Sequence, residues 1–520
     1  MTVLKLNSLG SQNINFDLEP CDLSSNTLTY GTNYKLLNGK IRASNMSYTL
    51  AIPPVNLKAG LIMPVQDDSN NFYILMGQSA AWVFDGSAWY NISQVGAYTG
   101  ISAGGELRWT GCLLGSIPVV NNIQDYPAYW SPLQVSQKLQ SLNFKSGQTW
   151  QAKGLSAKVI RCHKNFLFAL NLSLSGVAQA TSYRWSHPAD VNALPYTWDE
   201  TDLAAIAGIA SVGGDMGDLV DGLTLRDNFM LYSQRGISVL SFVGGDLIWA
   251  RTVLSTSYGL LAKNCVVESK GYHYFLSDGD ILKTDGNSFF SVLHNQMQTQ
   301  LVNNIDPVYY MNSFAFSNPV TEEIWFCIPQ VNHVLPNIAF VISTQDDLVS
   351  MRSIPDTTTG INFGPNLQTP ILWSNVLGYW EQNAKNWTYD PTSIFSRTIV
   401  ATNNVTSAII SLELDDGETP QNTILERLSF PLEGQEVVTT TQSVFPHIIS
   451  QVPVLIRLGS QQFVGDAVTW KEPVLFDPNT MRKVDIRTTG KLLSWRISST
   501  GTLPFILTGL DIQYVVNGIR

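Results

Sequence analysis

Apolar residues along this chain come in short runs of about four to eight, rarely at the three-to-four spacing of an amphipathic helix. The runs are rich in Val, Ile, Tyr, Phe, Trp and Thr, which suit a pleated surface, and Gly, Asn, Asp and Pro punctuate them as turn formers. FYILMG (72–77), AAWVFDG (80–86), NFLFALNL (165–172), NFMLYS (228–233), GISVLSFVGG (236–245), YHYFLS (272–277), EEIWFCIP (322–329) and NIAFVIS (337–343) therefore predict strands. Short helices are predicted only at Asp199–Ala210 and Leu293–Val302.

Some of these runs form a recurring unit. Residues 72–90, 228–249 and 272–290 each read as an apolar strand, a polar turn, a second apolar strand, a Gly-containing turn and an aromatic. The last two units start 44 residues apart, within the range of about 40–50 for propeller blades. One blade cannot bury both its faces alone, so blades stack around an axis. The expected fold is all-β and β-propeller-like, plus a C-terminal β-region, although a sandwich of hairpins would give the same loose repeat. Residues 1–50 hold few strong strands and read as an N-terminal docking segment, and 51–430 as the propeller-like body. Within that body 329–371, with Pro329, Pro336, Pro355, Pro365 and Pro370, reads as an insertion or long loop. From 431 to 520 longer alternating strands mark the C-terminal β-region, or else the part that closes the propeller.

Charge changes the picture more than size does. With 44% apolar residues and 14 Trp, the 520-residue chain has ample material for a core and none of the character of a disordered one. Charged residues are only 14%, against about 25% in ordinary soluble domains. The net charge is −10, which disfavours a protein that grips DNA, because that affinity comes mostly from cations on phosphates. The distribution is uneven. Residues 481–520 hold six Lys or Arg against two Asp, whereas 185–225 hold Asp190, Asp199, Glu200, Asp202, Asp215, Asp218 and Asp221 with no Lys or Arg. The asymmetry points to a partner-facing surface or to a solvated face.

No catalytic, cofactor or metal motif emerges. The five cysteines, Cys21, Cys112, Cys162, Cys265 and Cys327, are odd in number and widely spaced, and read as reduced thiols rather than a disulfide or zinc framework. The N-terminus shows no secretory pattern, and no uncharged apolar run approaches the roughly 18 residues of a membrane span. Because propellers can be glycosidases, a carboxylate pair is the first thing to seek. The Ser-x-Asp-x-Gly-x-x-Trp box is absent, and Asp85-Gly86 and Asp285-Gly286 read as hairpin turns. None of His163, His187, His273, His294, His333 and His447 falls in a metal-binding spacing, and nucleophile-elbow and P-loop patterns are missing. Asp215, Asp218 and Asp221 could offer oxygens to calcium but fit no standard loop and read better as an acidic turn region. Trp82, Trp89, Trp373, Trp380 and Trp387 leave a glycan-binding module open, with core packing the plainer use of such residues.

Three segments carry a family likeness. YRWSHPADVNALPYTW (183–198), followed by the glycine-rich turn and paired strands of 206–240, resembles a segment of the tail nozzle, or tail-stabilisation, proteins of short-tailed, podovirus-type bacteriophages. The aromatic strand ending in Ser-Asp-Gly at 277–279 is similar too, as is the closing stretch GKLLSWRISSTGTLPFILTGLDIQYVVNGIR (490–520). The resemblance implies a virion protein made in the bacterial cytoplasm and a ring, usually of six copies, below the portal and its adaptor or head-to-tail connector. Such a ring extends the DNA-ejection channel, contacts spikes, fibres or a plug, and lets genomic DNA pass without tight binding. It further implies structural roles: Arg184, Trp185 and Trp198 anchoring a blade, with Ser186 in the same motif, Ser277, Asp278 and Gly279 forming a hairpin turn, and Gly518 within the closing motif. Arg496 and Arg520 would meet an acidic neighbour or pair internally. On this view Asp199, Glu200, Asp202, Asp215, Asp218 and Asp221 are candidates to line or rim the channel.

Overall fold

In the computed structural model the described residues are 2–44, 46–57, 59–67, 70–94, 109–122, 125–245, 247–354, 358–365, 397–403, 406–414, 422–501 and 503–519. Every run predicted as a strand is one. The middle strands of the sheets are apolar on both faces: Glu323–Ile328 is buried along its whole length, and Asn228–Ser233 at all but its first residue. Strands of that kind need a packed layer on each side, and a circle of sheets supplies it.

Six four-stranded antiparallel sheets follow one another along the chain, at 61–91, 110–141, 155–211, 219–255, 266–291 and 314–353. A seventh combines Thr358–Pro365, Arg397–Asn403 and Ile409–Leu414 with Met46–Ala51, which precedes all the others. The first strand of each sheet lies beside the first strand of the next, and Thr358–Pro365 lies beside Leu61–Asp67, closing the circle. The fold is a seven-bladed β-propeller, sealed where Ile409 pairs with Ala51 and Ile410 with Thr49. Blades interlock through aromatics. Phe168 of blade 3 stacks on Phe229 of blade 4 at 4.4 Å, with Trp249 edge-on to Phe168 at 5.2 Å.

The chain ends build a second body, a sandwich of two six-stranded sheets. Thr2–Asn7, Tyr34–Leu37 and Lys40–Ala43 join Val437–Ile449, Thr489–Gly490 and Ile506–Ile519 in one sheet. Tyr30–Thr32 joins Ile424–Pro431, Val454–Gln461, Thr469–Trp470, Val474–Phe476 and Leu492–Ser499 in the other. Leu6, Tyr34, Ile41, Leu425, Trp495, Phe505 and Ile512 share their core.

These facts correct several boundaries. Residues 1–50 are not a separate docking segment, because their short strands are completed by strands from the far end of the chain and by blade 7. Residues 431–520 do not close the propeller; Met46–Ala51 does. The 329–371 stretch is no single insertion, since it carries the last two strands of blade 6 and the inner strand of blade 7. Its Pro329 and Pro336 sit just outside strand ends, where the missing N–H costs no ladder bond. Residues 366–396, which connect two paired strands of blade 7, lie outside the described residues, and with them Trp373, Trp380 and Trp387.

Of the two expected helices, the second, Leu293–Val302, is met only in its last part by the helix Gln298–Asn304. The first is absent: 199–207 is a chain of turns and Gly208–Ser211 is a strand. Asp199 accepts from Thr201 N at 3.1 Å, Asp202 from Ala204 N at 3.0 Å, and His187 Nδ1 from Ile206 N at 3.2 Å. Backbone donors that a helix would use are thus taken by side chains.

Candidate functional site at the propeller axis

The inner strands of blades 3 and 4, Leu155–His163 and Leu219–Leu225, bring Arg161 against Asp221. Their ion pair is bidentate, Nε to Oδ1 at 2.8 Å and Nη2 to Oδ2 at 2.7 Å. Nη2 also donates to Asn264 Oδ1 at 2.6 Å, and Nη1 to the Gly111 carbonyl in blade 2 at 3.1 Å. Asn264, just before the inner strand of blade 5, donates its backbone N–H to Asp221 Oδ2 at 2.7 Å and its Nδ2 to Trp109 O at 3.0 Å. Its carbonyl accepts from Ala315 of blade 6 at 2.7 Å. Five of the seven blades are therefore tied to one polar knot at the axis.

Asp221 is wholly buried, and it also accepts Gly222 N at 2.7 Å. Two guanidinium donors and two backbone N–H groups occupy its oxygens, which leaves this carboxylate nothing for proton transfer or cation binding. It cannot line a channel, which corrects the expectation for that residue.

Immediately before the knot along the same strands lies a cavity of about 310 Å3. Lys158, Asp218, Lys263, Asp278 and Tyr310 are among its polar lining residues, with Asn171 and Gln234, and Leu260 and Met311 among its apolar ones. Lys263 is buried, whereas Asp278 stands exposed in the blade 5 turn. Among the described residues no three His, Cys, Asp or Glu side chains are grouped to hold a metal ion, and no helix is long and apolar enough to cross a membrane.

The remaining acids of 185–225 do not share one face. Asp199, Glu200 and Asp202 sit in the excursion between the third and fourth strands of blade 3, at the propeller's outer rim. Asp199 meets Lys145 at 2.8 Å, and that hydrogen bond holds its carboxyl well below the usual range. Burial works to raise Glu200, but its ion pair with Arg184 outweighs it, and the carboxyl stays below its usual range. Asp215 and Asp218 lie instead on the connection into blade 4.

The same excursion contains the family-like segment. Arg184 Nη1 donates to Trp198 O at 2.8 Å, and Trp185 Nε1 to Ile206 O at 2.8 Å. Ser186 Oγ accepts Leu167 N at 3.0 Å and donates to His187 O at 2.8 Å. Trp198 is fully buried, edge-on to Trp150 at 4.9 Å. Ser277, Asp278 and Gly279 form the second turn of blade 5, with Ser277 N bonded to Asp280 O at 2.9 Å and Gly279 at φ +77°. Arg496 pairs with Glu426 inside the chain and stacks over Trp470 at 4.9 Å. Gly518, at φ +124°, lies in the last strand, and Arg520 is outside the described residues. Trp82 and Trp89 pack against the cluster between blades 7 and 1. Asp85 and Asp285 each accept two backbone N–H groups in equivalent turns of blades 1 and 5.

Arg161, Asn264, Lys158 and Lys263 were not singled out from sequence. A Lys or Arg on an inner strand is the available signal, but its partner 60 residues away is not visible without the blade register.

No protein-family model matches the chain, and no curated protein matches it. Three solved structures show a distant likeness. PorZ, a surface component of the type-IX secretion system of Porphyromonas gingivalis, is 10% identical with a TM-score of 0.33, covering 83% of this chain and 46% of that one. This chain thus spans about half the length of that structure. An exo-β-1,3-galactanase from Phanerochaete chrysosporium is 8% identical, TM-score 0.29, with coverages of 81% and 98%. The AfRom2 CNH domain is 8% identical, TM-score 0.36, with coverages of 72% and 100%. Fold and site together define an all-β protein: a seven-bladed propeller with a polar knot among its inner strands, joined to a sandwich made by both chain ends.

Proposed function

We propose that this chain is a structural, non-enzymatic subunit of a short bacteriophage tail, a nozzle-type protein that assembles into a ring, six copies by the family likeness. The observation that carries the reading is the commitment of charge to architecture. Asp221, Asp199 and Glu200 are each spent on an intrachain cation, and the axial carboxylate is locked into a knot joining five blades. Those contacts make a rigid wall block rather than a reactive cleft. The motif residues Arg184, Trp185, Ser186 and Trp198 likewise brace one blade. On this reading DNA passes through the opening enclosed by the copies and not through a propeller, whose inner strands Arg161, Asp221 and Asn264 tie together. The ring meets the portal adaptor at one end and spikes, fibres or a plug at the other.

A glycan-binding or glycosidase role is the second reading, favoured by the cavity beside the axis with Asp218, Asp278 and Tyr310 on its wall. Peptide quantification on purified particles, with a sugar-release assay on host polysaccharide, separates the two. Several copies per particle and no release are expected. Absence from particles, or release abolished by Asp218→Asn, would move the function to the second reading.

A further inference from the structure

Two contacts fix the register between the inner strands of blades 2 and 3, Thr110–Leu114 and Leu155–His163. Ile160 N donates to Thr110 Oγ1 at 3.3 Å, and Arg161 Nη1 to Gly111 O at 3.1 Å, each joining residues 50 apart. Continuing that register one step places Cys112 opposite Cys162. The side chains agree: the Cys162 thiol donates to Leu113 O at 3.1 Å, the carbonyl next to Cys112, and both cysteines pack against the same apolar cluster. Both cysteines are half-buried rather than sealed in the core, Cys112 at the middle of its strand and Cys162 near the end of its own.

We propose that Cys112 and Cys162 are a redox pair that closes to a disulfide on meeting an oxidised thiol such as glutathione disulfide, stapling blades 2 and 3 beside the axial knot. The proposal does not depend on the tail role.

The surroundings divide the labour between the two sulfurs. The neighbouring Cys112 thiol, with the Arg161 guanidinium, brings Cys162 down to about 7 against the effect of burial. The same proximity, with burial, pushes Cys112 up. Cys162 thus offers a thiolate near neutral pH, the form that attacks disulfides. Its sulfur bonds to one glutathione sulfur, the glutathione S–S bond breaks, and one glutathione thiolate leaves and takes a proton. Cys112 then gives up its proton and attacks Cys162 Sγ, and the second glutathione departs as thiolate and is protonated. Two cysteines are oxidised and one glutathione disulfide is reduced to two glutathiones. The other cysteines are placed differently: Cys265 and Cys327 are buried in the core, and burial with Asp22 and Glu19 pushes the Cys21 thiol up.

The test uses the full chain, reduced and then incubated with glutathione disulfide at neutral pH, with thiols counted in denaturant and peptides mapped by mass spectrometry. The expected result is loss of two of the five thiols, a linked 112–162 peptide and a higher thermal midpoint than the reduced protein. Cys112→Ser should stop at glutathione attached to Cys162, and Cys162→Ser should leave Cys112 unmodified. Retention of all five thiols, a mixed disulfide that persists on Cys162 of the wild-type chain, linkage of any other pair, or a midpoint that does not rise would each overturn the proposal. The wild-type peptide map decides the pairing even if a serine variant folds poorly.

Discussion

Asn33 of the sandwich receives two hydrogen bonds from Ser353 of blade 6 on a single side-chain oxygen, each 2.7 Å, from the backbone nitrogen and from the hydroxyl. The same residue donates its backbone N–H to Met351 O at 2.8 Å and its Nδ2 to Asn422 O at 2.7 Å. Its carbonyl accepts Thr423 Oγ1 at 2.6 Å and Ser44 N at 2.8 Å. One buried residue, through its side chain and backbone together, thus binds the outer strand of blade 6, the sandwich and the chain leading to the closing strand. Nearby, Arg352 of blade 6 pairs with Glu323 at 2.6 Å, lies over Trp325 at 4.7 Å and reaches Tyr34 O of the sandwich at 3.4 Å.

Replacing Asn33 should therefore loosen the joint. Asn33→Ala loses the side-chain bonds and forces Ala to φ +57°, for about 2–3 kcal/mol in denaturant unfolding. Asn33→Gly keeps the left-handed backbone at ease and isolates the bonding loss. If both variants unfold like the wild type, the joint is not where stability resides.

At the axis, Asp221→Asn leaves Arg161 buried without its counter-charge and should cost about 3–5 kcal/mol. Arg161→Met with Asp221→Leu removes both charges and should recover much of that loss. Equal destabilisation by the single and double variants would show that packing, not charge balance, governs the site.

Acid should act first through a histidine. Burial holds His273 down at about 4, with Nδ1 accepting from the Tyr232 hydroxyl at 2.8 Å and Nε2 donating to Thr224 O at 2.8 Å. Unfolding restores a value near 6.5, so the unfolded chain binds the proton first and stability falls as pH drops from about 6.5 to 4. The full effect is about 3 kcal/mol. Burial holds His163 down at about 4 as well, so His273→Phe should remove about half of the slope across that window; an unchanged slope would place the acid sensitivity elsewhere.

Much of this fold is written locally. Residues 228–249 and 272–290 carry their strands and turns in alternation and punctuation, and equivalent Asp-Gly turns recur in blades 1 and 5. Pairings that span the chain are not written that way. Nothing in Thr2–Asn7 announces that it pairs with Ile506–Ile519, because period-two patterning tells which face is buried and not against what. The acidic run misled for a related reason. Counting charge along 185–225 treats as one surface what folding divides between a blade rim and the axis, and the cations that neutralise it, Lys145 and Arg161, lie outside the run.

Neutralisation also bears on DNA. With Asp199, Glu200 and Asp221 paired, and the chain at −10, duplex DNA should bind no more tightly than about 10⁻⁶ M at low salt. A titration giving submicromolar affinity that weakens with salt would mean a cationic bore and contradict a conduit built to let DNA slide.

The most direct measurement is a cryo-electron microscopy reconstruction of the assembled protein on its particle. The account expects a closed ring of copies with an axial opening, DNA or its path lying in that opening, and density for Arg161 paired with Asp221 in each propeller. A single copy per particle, a monomer with a ligand in the Lys158–Tyr310 cavity, or nucleic acid threaded through a propeller would contradict it.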